Sequence, residues 1–347
     1  MNKLIFTLDA SEALEAVLNK LNPPQVFYIL PEASSALILK NIPGVAPSLL
    51  INDAEPAKTL RGAESIWASM LDASLTRNAL AVNIGGGVTT DIGGFAAACY
   101  MRGIRYVNIP TTLLAMVDAS AGGKTGVNFN GVKNIIGAFK SPVTTIISPA
   151  FLSTLPHTQL LSGYGEMLKH GLLQGEPCLS RMLAFSPLSA CQADWQECIR
   201  ESVLFKDKIV SADPYEQGAR RALNLGHTAG HAFESLGLGR GEQVTHGAAV
   251  AQGLVTALVL SVMKAGFSSL TMQSVAAHIK SLYSPLHYSC KDYDRLLALM
   301  HHDKKNRDAN HISFTLLKAP GSPLCGMETD EEEVKTALDI TCDLLGI

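Results

Sequence analysis

The chain has 347 residues, 47% of them hydrophobic and 17% charged, the balance of a globular protein with well-filled cores and, at this length, about two domains. A formal net charge of −3 gives no overall basic field, so no nucleic-acid partner is expected and any basic cluster that matters must be local. The seven cysteines are scattered and never spaced C-x-x-C, which argues against a disulfide framework or a cysteine zinc site and for reduced thiols in the cytoplasm.

From the N-terminus, Asp9 arrives too early for a signal-peptide apolar region. No apolar run approaches the roughly 20 residues of a membrane span, so no membrane association is expected. Residues 1–150 alternate short β-type runs, at 4–8, 26–30, 48–51, 79–84, 106–109 and 144–147, with helical patterns such as 57–73 and 90–100. That alternation predicts an α/β domain with a mainly parallel sheet covered by helices. Over 151–347 the texture changes. Apolar residues recur at helical spacing over 158–174, 188–211, 228–236, 246–265 and 330–345, interrupted by one β-like run at 312–317. This predicts a mostly α-helical second domain.

Four motifs stand out. In Asn83-Ile84-Gly85-Gly86-Gly87-Val88-Thr89-Thr90-Asp91 a strand runs into three glycines and then a helix. Such a turn lets backbone N–H groups approach a diphosphate at a helix N-terminus, or it is simply a tight strand–helix turn. Thr111 and Thr112 end the next strand, where ligands bind in open α/β sheets. The stretch from Asp118 through Gly122-Gly123-Lys124-Thr125, followed by Lys133-Asn134, lacks the first glycine of a P-loop at the required spacing. It reads as a glycine-rich loop, suited to an anion or merely solvated.

The third motif is Asn224-Leu225-Gly226-His227-Thr228-Ala229-Gly230-His231, which on a helix sets His227 and His231 on one face. With His246 and Glu166 it supplies the His and carboxylate types of an open catalytic metal site, although histidines so spaced are more often structural or surface residues. The remaining histidines, apart from the His301-His302 pair, have no comparable grouping. Fourth, Lys206, Arg220 and Asp303-Lys304-Lys305 are cations that in isolation read as solvated residues.

Taken together and in order, these motifs, with Met101-Arg102-Gly103, Pro110-Thr111-Thr112, Ile136-Gly137-Ala138-Phe139, Thr154-Leu155-Pro156, Glu166-x-x-Lys169 and His246-Gly247, closely resemble the 3-dehydroquinate synthases, a family of sugar phosphate cyclases. The resemblance spans residues 50 to 320. It implies an NAD-binding α/β domain over 1–150 and a helical metal- and substrate-binding domain over 151–347. It further implies zinc (or cobalt) on Glu166, His227 and His246, with His231 beside them for proton transfer. NAD would touch Asp53, Glu55, Lys58, Gly86, Gly87, Val88, Asp91, Thr111, Thr112, Lys133, Phe151 and Thr154. Asp118 and Lys124 would lie near nicotinamide and substrate. Lys169, Lys206, Arg220, Asn224, Asn134 and one of Lys304 or Lys305 would surround the substrate. Arg102 would reach the partner's site in a homodimer. The chain departs from the family at Ala248, where a glutamate usually follows His-Gly, and at Asp53-Ala54-Glu55, where a Gly-Glu pair is common.

The implied substrate is 3-deoxy-D-arabino-heptulosonate 7-phosphate, oxidised transiently, stripped of phosphate, re-reduced and closed by an intramolecular aldol reaction. A polyol dehydrogenase, another sugar phosphate cyclase and a non-catalytic sensor on the same fold are the alternatives. The cations count against the first and the complete residue set against the last.

Overall fold

The computed structural model describes residues 2–119, 122–301 and 311–347. Its contacts divide the chain into two compact units, Met1–Pro156 with Ala190–Asp207, and His157–Ser189 with Lys208–Ile347. This is more involved than one cut after residue 150. Ala190–Asp207 joins the first unit, where Arg200 lies 5.6 Å over the Phe6 ring and Lys206 bonds to Asp118.

In chain order the first unit runs β1 (Lys3–Phe6), α1 (Ala10–Leu21), β2 (Val26–Pro31), α2 (Ser35–Leu39), β3 (Leu49–Ile51), α3 (Leu60–Asp72), β4 (Leu80–Gly85), α4 (Gly87–Cys99), β5 (Arg105–Pro110), β6 (Lys124–Phe129), β7 (Val132–Phe139) and β8 (Thr144–Ile147). Six strands form a parallel sheet in the order β1-β8-β5-β4-β2-β3. Its central strands read as continuous apolar runs because helices cover both faces; every residue of β4 is buried. From β2 the chain steps outward to β3, then returns past β2 to β4, so the winding reverses between β2 and β4. Ligands of open α/β sheets bind at the carboxyl ends beside such a reversal.

The stretch read as a glycine-rich loop is largely the antiparallel hairpin β6–β7. Asn130-Gly131 makes its turn, with φ of +48° and +78°. Gly126 and Gly137 face each other so closely that a Cβ on Gly137 would stand 2.3 Å from the Thr125 carbonyl oxygen.

The second unit contains α5 (His157–Gln174), α6 (Cys178–Ala184), the end of α7 (Gln192–Ala212), α8 (His227–Gly239), α9 (His246–Ala265), α10 (Ser269–Leu282), α11 (Tyr293–His301), the antiparallel pair β9 (Ile312–Ala319) and β10 (Ser322–Thr329), and α12 (Glu331–Leu345). Helix α9 is the hub, with α5, α8, α10, α12 and β9 packed around it. It is also a correction to the sequence reading: its 20 residues are long and apolar enough, by length and composition alone, to cross a membrane. Here 72% of that window is buried inside the protein, which accounts for its apolar character as a core helix.

Candidate functional site

In the second unit, glycines set the spacing of the helices. A Cβ on Gly247, at the start of α9, would stand 1.7 Å from the Ser162 carbonyl oxygen of α5, and one on Gly253 would stand 2.1 Å from the oxygen of Gly226. Only hydrogen fits at such crossings, so α5, α8 and α9 approach backbone to backbone. Side chains beside the crossings are thereby forced together.

Those side chains are Glu166 on α5, His227 on α8 and His246 on α9. Glu166 is 0% exposed. The Nε2 atoms of His227 and His246 stand 3.4 and 3.6 Å from its Oε1. Lys169, one turn on and also buried, forms an ion pair with Oε2, yet neither carboxylate oxygen receives a hydrogen bond of normal geometry. The other ring nitrogens are also engaged. His227 Nδ1 lies 3.2 Å from the Leu225 carbonyl, and His246 Nδ1 lies 3.1 Å from Glu234 Oε2. His231 brings a nitrogen within 4.8 Å of nitrogens of both other histidines. Its ring lies 5.2 and 5.8 Å, centroid to centroid, from theirs, and it is exposed.

Burial opposes the charge of Glu166, but the Lys169 ammonium and the two imidazoles outweigh it and hold the carboxyl well below the usual range. Burial and the same ammonium push His227 well below the ordinary imidazole value. Burial works against the charge of His246 too, yet Glu166 and Glu234 together raise it to about 10. A buried carboxylate converging with imidazoles whose far nitrogens are already held is a donor set suited to a divalent cation.

Ahead of α8, a 3₁₀ turn over Ala219–Asn224 carries Arg220 and Asn224. Arg220 is buried; its guanidinium donates to the Pro214 carbonyl at 2.7 Å and its backbone N–H to Asp213. Asn224 donates to Glu216 at 2.9 Å. Lys304 and Lys305 lie outside the described residues.

In the first unit β4 ends at Gly85 and Gly86 caps α4 without a side-chain cap. The Thr111 N–H donates to the Gly85 carbonyl at 2.9 Å, and Thr112 lies beside Gly86, so Gly86, Gly87, Val88, Thr111 and Thr112 gather at the carboxyl ends of β4 and β5. Beside them Lys58, almost fully buried, donates to Asp91 at 2.5 Å and to Asn134 at 2.6 Å. Asn128 completes this cluster: it donates to Glu55 at 2.7 Å and accepts the Asn134 N–H at 2.9 Å. Lys206 donates to the Asp118 carboxylate at 2.5 Å and to its carbonyl at 2.8 Å. Asp53 is half-buried, Phe151 buried, and Lys124, Lys133 and Thr154 exposed. Arg102 is exposed at the corner after α4, where Met101 and Arg102 hold left-handed backbone with φ of +49° and +65°. Sequence reasoning missed Asn128 and Glu234. For Glu234 a signal existed, since it falls three residues after His231 on the same helical face.

Comparison with known proteins bears on both units. A family model described as 3-dehydroquinate synthase N-terminal matches residues 48–162, and one described as 3-dehydroquinate synthase C-terminal matches residues 163–306. The 3-dehydroquinate synthase of Parabacteroides distasonis is 39% identical, covering 99% of each chain. That of Bordetella pertussis is 41% identical over 83% of this chain and 80% of its own. Among solved structures, a 2-epi-5-epi-valiolone synthase from Streptomyces hygroscopicus, with NAD+ and Zn2+ bound, superposes with a TM-score of 0.85 at 24% identity, covering 99% of this chain and 97% of that one. That likeness carries the fold.

Proposed function

The chain belongs to the 3-dehydroquinate synthase family, and from that premise we propose that it converts 3-deoxy-D-arabino-heptulosonate 7-phosphate to 3-dehydroquinate and phosphate, as a cytoplasmic carbon–oxygen lyase of the shikimate pathway. One observation carries the reading in this chain. The buried Glu166 carboxylate has no hydrogen bond of normal geometry to either oxygen, while two imidazole nitrogens stand 3.4 and 3.6 Å from Oε1. A carboxylate kept out of water is costly unless cations meet it. Lys169 meets one oxygen, and Glu166, His227 and His246 together would hold zinc or cobalt as the further cation. The cofactor set, from Asp53 to Thr154, belongs to the first unit and would hold NAD.

Bound at those residues, the divalent ion supplies polarisation of a substrate hydroxyl and of the derived ketone, and NAD supplies a hydride acceptor that returns its hydride within the turnover. The chain's own residues bind, orient and move protons. Lys124, Lys169, Lys206 and Arg220, with one of Lys304 or Lys305, neutralise the carboxylate and phosphate, and Asn134 and Asn224 orient hydroxyls. Once a ketone stands beside it, a ring C–H is acidic enough to lose its proton as the C–O bond to phosphate breaks. His231, the exposed imidazole of the cluster, relays that proton at a ring nitrogen. Arg102 serves the phosphate of a second copy's substrate in a homodimer. A polyol dehydrogenase acting on neutral substrates has no need for Arg220, Lys206 and Lys305 together.

The test is direct. Enzyme supplied with zinc and NAD should release phosphate from the heptulosonate phosphate in step with 3-dehydroquinate formation. His227→Ala should keep its fold, lose most of its metal by elemental analysis and lose nearly all activity. A wild-type enzyme that holds metal and NAD yet leaves this substrate untouched overturns the reading.

A further inference from the structure

We propose that Glu234 is the positioning residue of the metal site: its carboxylate fixes the tautomer and orientation of His246 and supplies the second negative charge that lets a divalent ion settle beside Lys169. The inference rests on the metal reading above and deepens it.

Glu234 lies on α8, seven residues after His227 and three after His231, so all three share one helical face. Its side chain is largely buried, and Oε2 stands 3.1 Å from His246 Nδ1. The opposite nitrogen of that ring, Nε2, points at Glu166 Oε1 from 3.6 Å. An imidazole whose Nδ1–H donates to a carboxylate presents the Nε2 lone pair as a ligand, in a fixed ring plane and with raised basicity. His227 has no such partner at Nδ1; the Leu225 carbonyl, 3.2 Å away, orients that ring without adding charge.

Charge acts in the same direction. The −1 of Glu166 and the +1 of its ion-pair partner Lys169 cancel, so a dication placed among neutral imidazoles would leave +2 in a buried site. Glu234 lowers that sum to +1. Uncompensated charge is costly where water is excluded, so the acid on the far side of His246 strengthens ion binding without touching the ion.

Titration of the metal-free protein with Co2+, followed by visible absorption, tests this in wild type, Glu234→Gln and Glu234→Ala. Glu234→Gln keeps an acceptor oxygen and the side-chain shape but loses the charge; it should bind Co2+ about 10-fold more weakly with the wild-type band shape. Glu234→Ala loses both and should bind roughly 100-fold more weakly with an altered band. Thermal unfolding of the metal-free Glu234→Gln protein at the wild-type temperature separates this from a folding defect, and carries the test alone if Glu234→Ala does not fold. Wild-type affinity and spectrum in both variants would overturn the proposal. Wild-type affinity in Glu234→Gln alone removes its charge half. Failure of the wild type to take up Co2+, or uptake by His227→Ala equal to wild type, instead overturns the metal reading on which this one stands.

Discussion

Asp91 shows how burial and charge compete at one carboxyl. Burial pushes its pKa up to about 6 against the pull of the Lys58 ammonium 2.5 Å away. An acid raised in the folded state binds its proton more tightly there than in the unfolded chain. Its contribution to stability is therefore full below the unfolded value of 3.8 and lost as pH rises through about 6. Asp91→Asn removes that dependence. Denaturant unfolding of both proteins should show the stability of wild type relative to the variant shrinking from about pH 4 to about pH 7; a difference that stays constant or grows contradicts the assignment. Residue types at this scale were partly legible. Glu166, His227, His231 and His246 stood out as donors of the types a catalytic metal site uses, and the choice of Glu166, His227 and His246 as its ligands came from the family resemblance. Asn128 could not be named, because its role depends on chain segments that meet only in three dimensions, where it joins Glu55 to Asn134 across the hairpin; Glu234 left only its helical spacing from His231 as a signal, since its partner His246 comes from another helix.

At the scale of elements, long periodic segments were legible and irregular ones were not. Strand β8 at Thr144–Ile147 and helix α9 at His246–Ala265 have the bounds their patterns predict. The hairpin β6–β7 was hidden because its close strand approach demands Gly126 and Gly137, which break the alternation that marks a strand. Helix α1 was not singled out, although Asp9 accepts the Glu12 N–H and caps it. The α5–α9 crossing carries its own prediction. A methyl on Gly247 would stand 1.7 Å from the Ser162 carbonyl oxygen, so Gly247→Ala must push apart the helices that carry Glu166 and His246. A stability loss of about 1–3 kcal/mol is expected. Zinc content should fall with it, and unchanged unfolding temperature with full zinc would show that the crossing tolerates the methyl.

At the scale of the whole molecule, the division into two units was visible as a change from β–α alternation to helical periodicity. The return of Ala190–Asp207 to the first unit was not, because it shows only in contacts distant in sequence, Arg200 with Phe6 and Lys206 with Asp118. The proposed homodimer is testable through Arg102. A charge-assisted pair to phosphate is worth roughly 1.5–3 kcal/mol, so Arg102→Ala should weaken substrate use by about 10- to 150-fold and leave zinc and NAD binding intact. Mixed under subunit exchange with inactive His227→Ala, it should regain activity, since one site of the mixed dimer then carries both defects and the other neither. Verified exchange without recovery would confine Arg102 to its own subunit. Redox-neutral lyase chemistry is decided by following phosphate and the near-ultraviolet absorbance of NADH together, with NAD far below the heptulosonate phosphate in concentration. Many phosphates released per NAD, with no growth of NADH, is the predicted result; NADH rising in step with substrate loss and stopping when NAD is exhausted would contradict it.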